Sequence, residues 1–313
     1  MPVHAWFTDG HYTLIRSCPG TLTVPGRVGS HYRLMRITAT LLIGTMILSF
    51  GARQAVASNL WDLNISSIKV SKRRFGVNTN PLLKSNPLWI QTAHALSSNL
   101  VNGKGKQAAA RINPIFRQGR STKREIALTF DDGPHCAYTN QLLTVLRKNS
   151  VRATFFVVGS MVQRNPRLLQ AIHESGHEIG NHTFSHVDLT RVTMFDRMTE
   201  YLATSRLVKT LTGRTVHLCR PPGGEMNPEV VEAGVRCGLT TVTWTCDPGD
   251  FGNISEEQLL TRMKQTLQPG AIFLLHSGSR QTLAMLPEFV QYCKSLGYRF
   301  ATISEMMRPD RSH

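Results

Sequence analysis

The chain has 313 residues, with 36 Lys and Arg against 20 Asp and Glu and a net charge of +16. That excess is uneven: residues 1–57 carry five basic residues against one acid, residues 58–124 twelve against one, and residues 125–313 nineteen against eighteen. The long C-terminal part is therefore near neutral, which argues against specific nucleic-acid binding there, and a composition that is 41% hydrophobic excludes a wholly disordered chain.

In chain order, the first feature is an uncharged apolar run from Ile37 to Phe50. Arg33 and Arg36 precede it and Ala55-Val56-Ala57 follows. A basic flank, a short apolar core and a small-x-small end describe a secretory signal segment, with cleavage expected after Ala57. The run falls short of the roughly 20 residues that cross a bilayer, so retention as a signal anchor is the alternative reading. The residues before Met35 resemble no targeting element, and the expected translation start is Met35. Export implies a secreted, periplasmic or cell-surface protein.

Residues 1–57 are thus read as the leader and 58–122 as a basic, mostly disordered linker dominated by Asn, Ser, Lys and Gly. Such a segment reads either as a tether attracted to an anionic cell wall or membrane surface or as a simply solvated linker. With Cys18 ahead of the leader, Cys136, Cys219, Cys237, Cys246 and Cys293 remain. This odd set permits at most two disulfides in an oxidising compartment, and buried free thiols account for most of it.

From Glu125 short apolar runs alternate with helical patterns. Strands are predicted at 126–129, 153–158, 178–181, 216–220, 240–245, 271–275 and 299–303. Helices are predicted near 138–148, 167–175, 194–211, 228–237, 255–267 and 282–296, several of them stopped by a glycine such as Gly176, Gly213 or Gly297. Strands too apolar to face water, each followed by a helix, specify an α/β fold with a parallel sheet closed into a distorted (β/α)7-type barrel over residues 123–308. Active sites of such barrels lie at the C-terminal ends of the strands. Asp131, Asp132, His182, Arg220, Asp247, Asp250 and His276 all fall at or just beyond a predicted strand end.

Asp131 and Asp132 end an apolar run at Gly133-Pro134. Alternation along a strand points neighbouring side chains apart, so the two carboxylates are expected to hold different tasks. His182 and His186 are four apart, the spacing of one face of a helical turn. One Asp and two His make a three-ligand set that leaves a cation open to water, and the spare carboxylate is placed to act as a base. Arg220 opens Arg220-Pro221-Pro222-Gly223-Gly224, where Gly223 is the first residue with an N–H to offer an oxyanion. Asp247 reads as a turn residue. His276 closes the apolar strand Ile272–Leu275 and needs a polar partner there.

These five segments, in this order, resemble the polysaccharide deacetylases, the carbohydrate esterases with the NodB-type domain. The resemblance spans residues 123–305. It implies Asp131 as base, Asp132, His182 and His186 as ligands to Zn2+, Co2+ or another divalent ion, and Arg220 as the partner of Asp131. It also implies Asp250 paired with His276 as general acid, and Leu274 lining a pocket for the acetyl methyl. Two positions depart from the family pattern: Gly223 stands where an aromatic residue is common, and Phe251 where Trp is usual. The expected substrate is an N-acetylated polysaccharide, with peptidoglycan favoured over chitin oligomers or acetylxylan. A non-catalytic carbohydrate-binding protein on the same barrel is the alternative from a different class.

Overall fold

The computed structural model describes residues 114–309, Ser97, and the backbone of a hairpin in which β1 (Val3–Thr8) pairs antiparallel with β2 (His11–Arg16). The apolar run 37–50, the start at Met35, the cleavage site and most of the linker lie outside the described residues. Among the described residues no helix is long and apolar enough to cross a membrane.

The barrel is built on β4 (Glu125–Gly133), β5 (Thr154–Val157), β6 (Glu178–Asn181), β7 (Leu218–Cys219), β8 (Thr240–Val242) and β9 (Ile272–His276). Each pairs in parallel with the next from β4 to β8, and β9 returns to pair with β4. One bridge, Cys246 to Phe273, closes the ring between the segment after β8 and β9. Two short strands extend the sheet, β3 (Ile115–Phe116) beside β8 and β10 (Arg299–Phe300) beside the start of β4. All seven predicted strands are present. β3 is additional and falls in the stretch read as linker, so the sheet reaches back to Ile115.

The helices follow their strands: α1 (Thr139–Lys148), α2 (Gly159–Arg164), α3 (Pro166–Glu174), α4 (Met194–Thr212), α5 (Pro228–Arg236), α6 (Glu256–Gln265), α7 (Arg280–Ser295) and α8 (Ile303–Met306). Their ends obey local chemistry. Thr193 caps α4 by accepting from the Asp196 N–H, and Gly213 ends it in the left-handed conformation (φ 71°) that a side chain resists. Two predictions need correction here. The last strand stops at Phe300 rather than Ile303, because Thr302 and Glu305 form a capping box that starts α8. Also, α2 occupies residues expected to be loop.

Alternation along β4 shows how the barrel is filled. Ile126, Leu128 and Phe130 face outward into the apolar layer beneath the helices, while Ala127 faces the lumen with Phe156, Leu218, Val242 and Ile272. Ile303 and Met306 of α8 join that inner cluster and close the N-terminal end of the barrel. Above Ala127 the next lumen-facing residues of β4 are Thr129 and Asp131, so the interior turns polar toward the C-terminal end. Cys219, Cys237, Cys246 and Cys293 are free thiols, and burial raises the pKa of each, which keeps them protonated and unreactive.

Candidate active site

The site begins with an irregularity in β4. Its register against β5 shifts between Phe130 and Gly133, and Asp132 sits in the left-handed region (φ 62°). A bulge puts consecutive side chains on one side of a strand. The expectation that Asp131 and Asp132 point apart is therefore corrected: both reach the same imidazole. His182 Nε2 lies 3.7 Å from Asp131 Oδ2 and 3.3 Å from Asp132 Oδ1.

The two carboxylates nonetheless differ in surroundings. Asp131 is 3% exposed, and its Oδ1 accepts a 2.8 Å hydrogen bond from Arg220 Nη1. Arg220 is fully buried, a costly position for a cation unless every donor is met. Nη1 also donates to Thr129 Oγ1 (2.8 Å), Nε to Val242 O (3.2 Å) and Nη2 to Thr243 O (3.2 Å). The Phe156 ring stacks 4.2 Å beneath the guanidinium.

Asp132 faces two imidazoles. His186 Nε2 lies 3.0 Å and His182 Nε2 3.3 Å from its Oδ1, yet this oxygen is shielded from solvent and receives no hydrogen bond. His182 Nδ1 is 2.7 Å from the Arg220 carbonyl. A carbonyl only accepts, so Nδ1 carries the proton and Nε2 presents a lone pair. Burial disfavours the Asp132 carboxylate, but positive charge beside it, as on protonated His186, outweighs burial and holds its pKa well below the ordinary value, so the pocket favours a cation at this carboxylate. An orphaned carboxylate oxygen beside the His182 Nε2 lone pair and the His186 imidazole, with one ligand atom from each residue within 4.8 Å of the others, fits a divalent cation.

The histidines do not lie on a helical turn, which corrects the spacing argument. Residues 182–186 form a loop in which Thr183 and His186 both adopt positive φ (65° and 57°). The loop is held from behind by Glu200 of α4, whose Oε2 accepts from the Phe184 and Ser185 N–H groups. Sequence reasoning passes over Glu200, since nothing in its helical context distinguishes it from a surface acid.

Beside Asp131 stands His276, its register partner on the neighbouring strand β9. Its Nδ1 is 2.6 Å from Asp250 Oδ1, and the His276 backbone N–H donates to Asp250 Oδ2 at 2.9 Å. Asp250 is fixed in turn by a 2.6 Å bond from Thr282 Oγ1. Burial opposes the imidazolium, but the Asp250 carboxylate more than offsets this and pushes the pKa up to about 9. Phe251, 43% exposed, packs edge to face on the His276 ring at 4.2 Å. Leu274 lies two residues before His276 and belongs to neither apolar cluster. Gly223 is exposed with left-handed backbone (φ 62°), and a Cβ there would meet nothing closer than 3.7 Å. Asp247 stands apart, accepting only from the Gly249 N–H as a turn residue.

A parallel barrel bearing a three-donor candidate metal site, an arginine-tied carboxylate and a carboxylate-tied imidazole at its C-terminal rim defines the class of metal-dependent hydrolases. The family model described as polysaccharide deacetylase matches residues 118–242. The chain is 37% identical over 193 residues to a peptidoglycan-N-acetylglucosamine deacetylase of Bacillus cereus, covering 60% of this chain and 90% of that one. It is 36% identical over 185 residues to the peptidoglycan-N-acetylglucosamine deacetylase of Listeria monocytogenes, 59% of this chain but only 39% of that longer protein. Among solved structures, a carbohydrate esterase family 4 pseudoenzyme of Bacillus anthracis superposes with a TM-score of 0.61 at 28% identity, covering 63% of this chain and 70% of that one. The chain belongs to the polysaccharide deacetylase family.

Proposed function

We propose that the protein removes N-acetyl groups from the amino sugars of peptidoglycan outside the cytoplasm, with Zn2+ as its cation. The names of its relatives support the substrate. One observation carries the chemistry: consecutive aspartates are committed to different neighbours, Asp131 to buried Arg220 and Asp132 to two imidazoles. A family resemblance alone would not suffice, since a barrel of this class also serves a pseudoenzyme.

A divalent cation on Asp132, His182 and His186 supplies Lewis-acid polarisation of an acyl carbonyl and of water. Zinc suits a mixed oxygen and imidazole set, and Co2+ fits the same donors. Asp131 acts as the base. Arg220 occupies Oδ1, which leaves Oδ2, on the His182 side, to take a proton from the attacking water. The Gly223 N–H donates to the carbonyl oxygen as it gains negative charge. His276, charged through Asp250, gives its proton to the departing sugar amine, without which an amide nitrogen leaves poorly. Leu274 receives the acetyl methyl and Phe251 walls the sugar beside the acid. Residues 123–308 form the catalytic domain, the run 37–50 directs export or anchors the chain, and the basic linker 58–122 associates with the anionic wall.

The test compares amine release from purified peptidoglycan and chitin oligomers with acetate release from acetylxylan. Peptidoglycan is expected to be turned over fastest, and Asp131→Asn is expected to abolish turnover while retaining bound zinc. Activity confined to acetylxylan overturns the substrate, and wild-type rates in Asp131→Asn overturn the base. Absence of turnover on all three substrates by zinc-loaded wild type favours the non-catalytic reading.

A further inference from the structure

The loop carrying both histidines is held in a conformation its residues do not favour. Thr183 and His186 have φ of 65° and 57°, a region that β-branched residues in particular avoid. Such backbone persists only where the surroundings over-determine it. Here they do so bond by bond. Val157 O accepts from the His182 N–H, and the Thr183 and Phe184 carbonyls accept from Gly159 and Ser160 at the start of α2. Asn181 Oδ1 accepts from the Thr183 N–H at 2.9 Å, and Thr183 Oγ1 from the His186 N–H at 3.1 Å.

The charged member of this set is Glu200, 1% exposed on α4. Its Oε2 accepts from Phe184 N (2.8 Å) and Ser185 N (2.7 Å), and its Oε1 accepts from Ser185 Oγ (2.7 Å). These two amides sit between the histidines in sequence, so the carboxylate grips the middle of the span that separates the imidazoles. Without an acceptor there, two buried N–H groups would be left unmet. The loop would then relax toward ordinary backbone angles and carry His186 away from Asp132.

We propose that Glu200 is a positioning residue for the metal site, setting the spacing of His182 and His186 from behind without touching the cation. The inference rests on the reading of Asp132, His182 and His186 as that site. It is geometric rather than electrostatic. Glutamine keeps an acceptor oxygen for both amides and turns an NH2 toward the Ser185 hydroxyl, whose oxygen can accept. Aspartate keeps the charge but withdraws it by about 1.5 Å, one C–C bond.

Full-length apoprotein is titrated with Co2+ and followed by its visible absorption, with thermal unfolding of each apo variant recorded alongside. Glu200→Gln is expected to bind Co2+ within about threefold of wild type. Glu200→Asp and Glu200→Ala are expected to bind about ten- to a hundredfold more weakly, the range for loss of an outer-shell partner. If Glu200→Ala does not fold, Glu200→Asp decides. Wild-type affinity in Glu200→Asp overturns the proposal, as does a loss in Glu200→Gln equal to that in Glu200→Asp. Failure of wild type to bind Co2+ at all overturns the metal reading itself, a result distinct from either.

Discussion

Replacing Arg220 by lysine keeps the charge beside Asp131 but removes the fork that distributes it. The guanidinium meets four acceptors at once: Asp131 Oδ1, Thr129 Oγ1, and the carbonyls of Val242 and Thr243. A lysine has one nitrogen on a flexible stem, and at the Asp131 position it reaches one further acceptor at most. Two acceptors lose their donor in a barrel interior closed to water, each at a cost of about 1–3 kcal/mol. Arg220→Lys should therefore destabilise the fold by about 2–6 kcal/mol, read as a lower urea midpoint at unchanged slope. Arg220→Met strips the charge as well and leaves Asp131 buried without a cation, a loss of about 3–5 kcal/mol before any repacking gain. Turnover should fall in both variants at little-changed KM, because the base is misplaced rather than the sugar released. An Arg220→Lys protein within about 0.5 kcal/mol of wild type and of wild-type kcat would refute the argument that the fork is what matters.

Asp250→Asn removes the carboxylate that holds His276 near 9, so the alkaline limb of the rate profile should move toward neutral pH. The stabilisation that this pair gives the wild-type fold is complete below the free-histidine value of about 6.5 and lost as pH rises through about 9. His177 has the opposite sign: burial, with help from Arg152, lowers its pKa to about 4. Protonation therefore favours the unfolded chain, and about 3 kcal/mol of stability should disappear as pH falls from about 6.5 to about 4. Urea midpoints across that window should fall less in His177→Gln, which retains an acceptor for the Ala153 N–H. Gly224→Ala should disrupt the loop after β7, since φ is 70° and the new Cβ would lie 2.4 Å from Trp244. Trp fluorescence and thermal unfolding report it, and a wild-type melting temperature would contradict the expected clash with the indole.

What could be read from the sequence was chemistry placed by strand ends. An apolar run stopping at Asp131, Arg220 or His276 locates each residue at the rim, because a parallel barrel has one functional face. What escaped were features whose signal is conformational. The bulge at Asp132 lies within an otherwise regular strand, and no residue type announces it. The loop shape of His182–His186 is hidden because i,i+4 spacing is equally that of a helix. Glu200 is invisible because α4 buries Arg197, Thr199 and Thr204 beside its apolar residues, so the helix carries no clean apolar stripe to reveal its inward face. β3 has only two residues in a basic stretch, too short for any periodicity. Conversely, the Thr302–Glu305 capping box is a readable signal that the apolar residues around it obscure.

The bulge in β4 has a consequence for how the rim tolerates motion. Asp131 and Asp132 are consecutive residues of one strand, so their backbones stay joined by a single peptide unit when strands shift against one another. His276 is tied to them almost as closely, since five consecutive register pairs hold β9 against β4, whereas the segment after β8 meets β9 through the single Cys246–Phe273 bridge. Opening of that seam would leave β4 and β9 paired. The two aspartates and His276 thus share one two-stranded ribbon, while Arg220 and the histidine loop, which follow β7 and β6, reach them only through the pairing of the intervening strands.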